Sequence, residues 1–152
     1  PRNLNFHKFL TQQAGNLGSY SNWTLEIISP FFTNDAKNME HQFFYDLGVK
    51  NIHLLLPLDQ EGIPSCEKEY FDHIDALDNI CWAEWDTESG KQLEVNGEYF
   101  RRLHAKVYHF YNKVQSWAFV GSINFSHKAM YDNVEAGFCQ TKHCWVNAQA
   151  YY

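Results

Sequence analysis

Residues 102–139 have the sequence RLHAKVYHFYNKVQSWAFVGSINFSHKAMYDNVEAGFC. Two strands, His104–Asn112 and Ser116–Gly121, are predicted here, joined by a short link of Asn-Lys-Val-Gln. A helical turn is predicted over His127–Tyr131, and a further strand over Asn133–Cys139. The stretch therefore predicts three strands and a helical turn, with Gly121 and the residues after it forming a loop at a strand end.

Upstream of this stretch, predicted strands alternate with predicted helices. In chain order we expect the helix Phe6–Gln13, the strand Trp23–Ser29, a helix from Asn34 or Asp35 to Leu47, the strand Val49–Leu56, the helix Glu67–Leu77 and the strand Asn79–Trp85. A polar segment, Thr87–Gly97, predicts a projecting hairpin or loop. This alternation predicts an α/β fold, in which a mixed β-sheet is flanked by helices on both faces.

The length of 152 residues corresponds to a single domain, although a chain that begins with Pro1 could be a fragment of a longer protein. The longest apolar candidate for a membrane span ends at Pro57, and no segment resembles a signal peptide. Four cysteines show no spacing typical of a disulfide framework. We therefore expect a cytoplasmic protein with reduced thiols, no membrane association, and no metal or cofactor.

Charge is distributed unevenly along the chain. Residues 1–100 contain six Lys and Arg against sixteen Asp and Glu, whereas residues 101–152 contain six against two. A basic region on an acidic protein is typical of a site that binds an anionic ligand, although it could be an ordinary solvated surface. The residues that could contact nucleic acid are Arg101, Arg102, Lys113 and Lys128.

The same region contains the groups that phosphodiester chemistry requires. His104 and Lys106 are two residues apart, so on a strand they would point to the same side. Imidazole can act as a nucleophile towards phosphorus, and an ammonium or an amide, such as that of Asn124, can bind phosphate oxygens. Glu135 could accept a hydrogen bond from the second ring nitrogen of the histidine and fix its tautomer. Each residue alone has an ordinary structural explanation, and the ordered combination carries the functional prediction.

These residues resemble the HKD motif of the phospholipase D superfamily, in which H-x-K-x4-D is followed by G-S-x-N or G-S-x-x-N. Strand–helix–strand sequence from Ile27 onwards is similar, more loosely, to the N-terminal half of that fold. The resemblance implies a phospholipase D-like fold with one HKD motif per chain. It also implies a set of roles: nucleophile His104, phosphate-binding Lys106, Ser122 and Asn124, and supporting carboxylate Glu135.

Two departures from the pattern favour a nuclease over a lipid-cleaving enzyme. Tyr111 occupies the position of the motif's Asp, which is also missing in some nuclease branches. The interval from His104 to Asn124 is similar to that of metal-independent restriction endonucleases. Because no second His-x-Lys occurs in the chain, the resemblance implies a homodimer through the motif face, with the second His104 as the general acid. Alternatively, a missing part of the chain would supply the second motif.

The sequence therefore predicts a metal-independent phosphodiesterase that cleaves nucleic acid, DNA in preference to RNA, within a restriction or defence system. Two alternatives stay open at this point. One is a phospholipid hydrolase or phosphatidyltransferase, for which no apolar or membrane-anchoring segment is evident. The other is a non-catalytic nucleic-acid-binding or dimerisation module with the same fold, which the loss of the motif's Asp would suit.

Overall fold

The computed structural model describes residues 5–30, 32, 39–55, 66, 68–83, 105–126, 128–132 and 137–143. The described helices are α1 (Phe6–Leu17), α2 (Met39–Leu47), α3 (Lys68–Asp75) and a short π-helix (Lys128–Asp132). The described strands are β1 (Thr24–Ile28), β2 (Asn51–Leu55), β3 (Ile80–Ala83), β4 (Val107–Tyr111), β5 (Gln115–Gly121) and β6 (Gly137–His143).

The six strands form one mixed sheet in the order β3-β2-β1-β4-β5-β6. β1, β2 and β3 are parallel, while β4 is antiparallel to β1, β5 to β4 and β6 to β5. Helices connect the parallel strands because such strands need a crossover, whereas a tight turn joins the antiparallel strands β4 and β5. The α/β class and the mixed sheet are thus confirmed.

One face of the sheet, which we call the covered face, carries the hydrophobic core. Every second residue of β1, β2, β4 and β5 is buried there, as strand geometry requires. The members of these strands that are buried on this face are Leu25, Ile27, Ile52, Leu54, Tyr108, Phe110, Trp117 and Phe119. Aromatic pairs extend across the strands, with the rings of Phe110 and Trp117 stacked at a centroid distance of 4.5 Å.

The described helices all pack on this covered face. Phe6 of α1 lies 4.8 Å from the ring of Tyr108, and Phe71 of α3 stacks on Trp82 at 4.7 Å. The prediction of helices on both faces is therefore wrong for the described part of the chain. The reason is topological: β1, β2 and β3 progress in one direction across the sheet, so right-handed crossovers place α2 and α3 on the same side.

Most predicted elements are confirmed, with bounds that shift by a few residues. The end of α2 is as predicted, because Gly48 adopts a positive φ of 61° directly after Leu47. The described part of the last strand begins at Gly137, where a Cβ would collide with the Phe119 ring. The predicted start of α2 at residues 34–35, the segment 87–97 and residues 133–136 lie outside the described residues.

None of the described helices is both long enough and apolar enough to cross a lipid bilayer.

Candidate active site at the end of the parallel strands

The predicted site residues that the structure describes lie at one edge of the sheet, the edge where β1 ends. Ile28, the last residue of β1, pairs with Val107, the first of β4, and Val107 pairs with Val120 near the end of β5. The amide of Gly121 also donates a hydrogen bond to the carbonyl of Lys106 at 3.2 Å. We call this end of the sheet, where β1 and β5 end and β4 begins, the site edge. In open α/β sheets, ligands bind at the carboxyl ends of the parallel strands.

Lys106 is buried at the site edge, with 6% of its surface exposed. It continues the alternation of β4, so it lies on the covered face in line with Tyr108 and Phe110. Within the described part of the chain, the buried polar or charged residues are Lys106 and Ser29, and both lie at this edge. A lysine side chain at the carboxyl ends of the parallel strands is the type of group that can bind the oxygens of an anionic ligand.

The loop after β5 presents Ser122 and Asn124 and buries the residues between and after them. Ile123 is 2% exposed and Phe125 is fully buried, whereas Ser122 is exposed and Asn124 half-buried. Phe125 also forms a parallel bridge with Phe32. The two apolar side chains thus anchor the loop in the core and leave its polar side chains at the edge.

Two side-chain hydroxyl groups hold this loop. Tyr108 donates a hydrogen bond from its hydroxyl to the carbonyl of Ile123 at 3.1 Å. Ser29 accepts a hydrogen bond at Oγ from the amide of Phe125 at 3.0 Å. Both bonds are buried, so they are not weakened by competition with water. Ser29 and Tyr108 were not singled out from the sequence, in which nothing beyond their strand positions marks them.

The side-chain amide of Asn124 retains binding capacity. Its Oδ1 position is buried and has no hydrogen-bond partner among the described residues. The oxygen and nitrogen of an amide exchange places by a flip, so this position can present either an acceptor or a donor to a ligand.

His104 and Glu135 lie outside the described residues, as do Arg101 and Arg102. Their roles as nucleophile, supporting carboxylate and nucleic-acid contacts therefore stay predictions. His104 precedes Lys106 by two residues in the sequence.

The two remaining predicted contact residues are placed at opposite edges of the sheet. Lys128 is exposed and begins the π-helix that follows the site loop. Lys113 is exposed in the β4–β5 turn, where Asn112 Oδ1 accepts hydrogen bonds from two backbone amides, each at 2.8 Å. Because β4 lies between this turn and Lys106, the two lysines are separated by about 20 Å at the usual rise per strand residue. Lys113 does not share the site edge with Lys106.

Tyr111, which occupies the position of the motif's Asp, lies on the other face of the sheet. There the carboxylate of Glu26 accepts a hydrogen bond from His109 Nδ1 at 2.9 Å. The same carboxylate lies 3.9 Å from His53 Nδ1. The hydrogen bond with His109 is the main cause that lowers the pKa of Glu26, and burial acts in the opposite direction. The charges of His109 and His53 and a hydrogen bond from Tyr111 lower the pKa further. This group, which we call the open-face cluster, joins three strands and cannot be found from local sequence.

The position of Tyr111 bears on the missing Asp. Lys106 is on the covered face at the site edge, whereas Tyr111 is on the other face at the far end of β4, about 17 Å along the strand. An Asp at position 111 would therefore not lie at the site edge. A carboxylate is still present near Tyr111, because Glu26 supplies it from β1.

Searches of the sequence against protein-family models and against curated proteins found no match.

Proposed function

We propose that this chain is a metal-independent phosphodiesterase that hydrolyses phosphodiester bonds of nucleic acid, DNA in preference to RNA. The observation that carries the proposal is the buried ammonium of Lys106 at the site edge, beside the loop that presents Ser122 and Asn124. These residues are the described members of a set whose order and spacing resemble the HKD motif. The fold is compatible, since the set follows the strand ends at which ligands bind in open α/β sheets.

The proposed reaction has two displacements at phosphorus. In the first, a ring nitrogen of His104 forms a bond to phosphorus as the bond to the leaving oxygen breaks, and an acid gives that oxygen a proton. In the second, the group that gave up its proton takes one from water, the water oxygen forms a bond to phosphorus, and the phosphorus–nitrogen bond breaks, which restores the histidine and the acid. Lys106 and Asn124 hold the non-bridging oxygens and stabilise the charge that develops on them, and Ser122 adds a further contact. Glu135 fixes the tautomer of His104.

The acid in the first displacement is proposed to be His104 of a second copy. A single motif supplies one such histidine per chain, so a twofold homodimer would place two of them at one composite site. The site edge would then lie at the dimer interface. A chain that carries its second motif elsewhere would reach the same arrangement as a monomer.

Cleavage of labelled single-stranded DNA, double-stranded DNA and RNA in excess EDTA tests the proposal. The chain is assayed beside His104→Ala, at concentrations where sedimentation shows it to be dimeric. We expect cleavage that survives EDTA, disappears in His104→Ala and weakens as salt rises. Absence of cleavage of all three substrates by the dimeric chain would contradict the proposal. A vesicle assay on a phospholipid substrate would then test the lipid alternative directly.

A further inference from the structure

The loop that carries Ser122 and Asn124 is attached to the sheet on both sides of Asn124. The carbonyl of Ile123 belongs to the peptide group that precedes Asn124, and the amide of Phe125 belongs to the peptide group that follows it. Tyr108 binds the first and Ser29 binds the second. The two peptide groups define the backbone dihedral angles of Asn124, so fixing both restricts where its side chain can point.

The two hydroxyl groups also connect the loop to the strands that form the site edge. Tyr108 lies on β4 two residues after Lys106 and on the same face, so its bond ties the loop to the strand that presents the buried ammonium. Ser29 follows β1, the neighbouring strand. Since Tyr108 is fully buried and Ser29 is 2% exposed, neither side chain has room to change its rotamer without disturbing the core.

We propose that the hydroxyl groups of Tyr108 and Ser29 are positioning groups, which orient Asn124 relative to Lys106 for binding of the phosphate in the transition state. The inference rests on the proposed function and adds two residues to it that the motif does not contain. Neither hydroxyl group touches the substrate. Each acts through the peptide group next to Asn124, so its effect depends on the amide of Asn124 being present.

A double-mutant cycle tests this dependence. Tyr108→Phe removes one oxygen atom and keeps the buried ring, and Asn124→Ala removes the amide on which that oxygen is proposed to act. Single-turnover cleavage rates in EDTA are compared for the wild type, the two single variants and the double variant. We expect Tyr108→Phe to lower the rate about ten- to a hundredfold in the wild-type background, as expected for a misplaced binding group, and less than about twofold in the Asn124→Ala background.

Tyr20→Phe is the matched control. Tyr20 is also buried, at 1% exposure, but its ring packs on Phe110 and Trp117, in the part of the core away from the loop. Its rate should equal that of the wild type within about twofold. Ser29→Ala forms a second, independent cycle with Asn124→Ala. This cycle tests the positioning role if Tyr108→Phe does not fold.

The outcomes separate the inference from the proposed function. If the wild type cleaves and Tyr108→Phe has the same effect in both backgrounds, or no more effect than Tyr20→Phe, the positioning role is overturned and the proposed function stands. If the wild type does not cleave in EDTA, the proposed function fails and the positioning role fails with it.

Discussion

The two faces of the sheet are built on different principles, although the same strands supply both. On the covered face, β4 contributes Tyr108 and Phe110 to an aromatic core. On the opposite face, which we call the open face, it contributes His109 and Tyr111 to the open-face cluster around Glu26. Packing determines the first set, whereas mutual hydrogen bonding determines the second.

Lys106 is the exception on the covered face, because it is a charged residue in a position that strand alternation assigns to the core. A charged residue on the apolar face of a sheet is therefore a better guide to a site than a polar residue among polar neighbours. On the open face, His53 and His109 each pair with the carboxylate of Glu26. At the site edge, the largely buried Lys106 adjoins a core of apolar and aromatic side chains.

The largest expected difference between the faces is in stability. Phe110→Ala removes a fully buried ring and should lower the free energy of unfolding by about 3–5 kcal/mol. His109→Ala, the neighbouring residue on the same strand, removes a half-exposed partner of Glu26 and should cost no more than about 1 kcal/mol. Urea unfolding of both variants measures the difference. Equal losses would show that the open face is as tightly packed as the covered face, contrary to this account.

The next difference is between two lysines at opposite edges. Lys106→Met should lower the rate of cleavage in EDTA by about a hundredfold or more, because a charge that stabilises the transition state is removed. Lys113→Met, in the exposed β4–β5 turn, should change the rate less than about threefold. Both variants are assayed at temperatures where their unfolding curves show them folded. Similar rates for the two variants would remove Lys106 from the proposed chemistry.

The smallest expected effect is the pH dependence of the open-face cluster. The pKa of Glu26 is lowered in the folded protein from its usual value of 4.5, chiefly by the hydrogen bond with His109. The ionised carboxylate therefore contributes stability that is fully present above that value and is lost as the pH falls through the folded-state pKa.

Glu26→Gln should accordingly be less stable than the wild type by up to about 1 kcal/mol near pH 6, with the gap closing as the pH falls below 4.5. Urea unfolding over this pH range measures the gap. In a His109→Ala background the pH dependence of the gap should shrink, because the main cause of the lowered pKa has been removed. A gap that does not change with pH would show that the charge of Glu26 is not stabilised by the cluster.

Much of the fold could be predicted from the sequence because it is local. Strand-like segments that end at Pro30 and Pro57 located β1 and β2, and Gly48 correctly marked the end of α2. The side on which the helices pack could not be read from alternation, since it depends on the order of the strands in the sheet. The contact between Gly137 and the Phe119 ring has a similar cause, because it joins two different strands.

The candidate site was predictable only in part, for the same reason. Lys106, Ser122 and Asn124 follow from motif spacing, and the structure places Lys106 and the loop of Ser122 and Asn124 at one edge. Ser29 joins that loop from a position 96 residues earlier in the chain, and Glu26 meets His109 across a separation of 83 residues. Contacts of this range depend on strand pairing, which the local pattern does not specify.

The proposed function makes His104 the nucleophile, and a comparison of two histidines of the same segment tests this role. Cleavage of labelled DNA in excess EDTA is measured for the wild type, His104→Ala and His109→Ala at equal concentrations of folded protein. We predict that His104→Ala abolishes cleavage and that His109→Ala, whose side chain lies on the open face, retains the wild-type rate within about threefold. Retained cleavage in His104→Ala would contradict the claim.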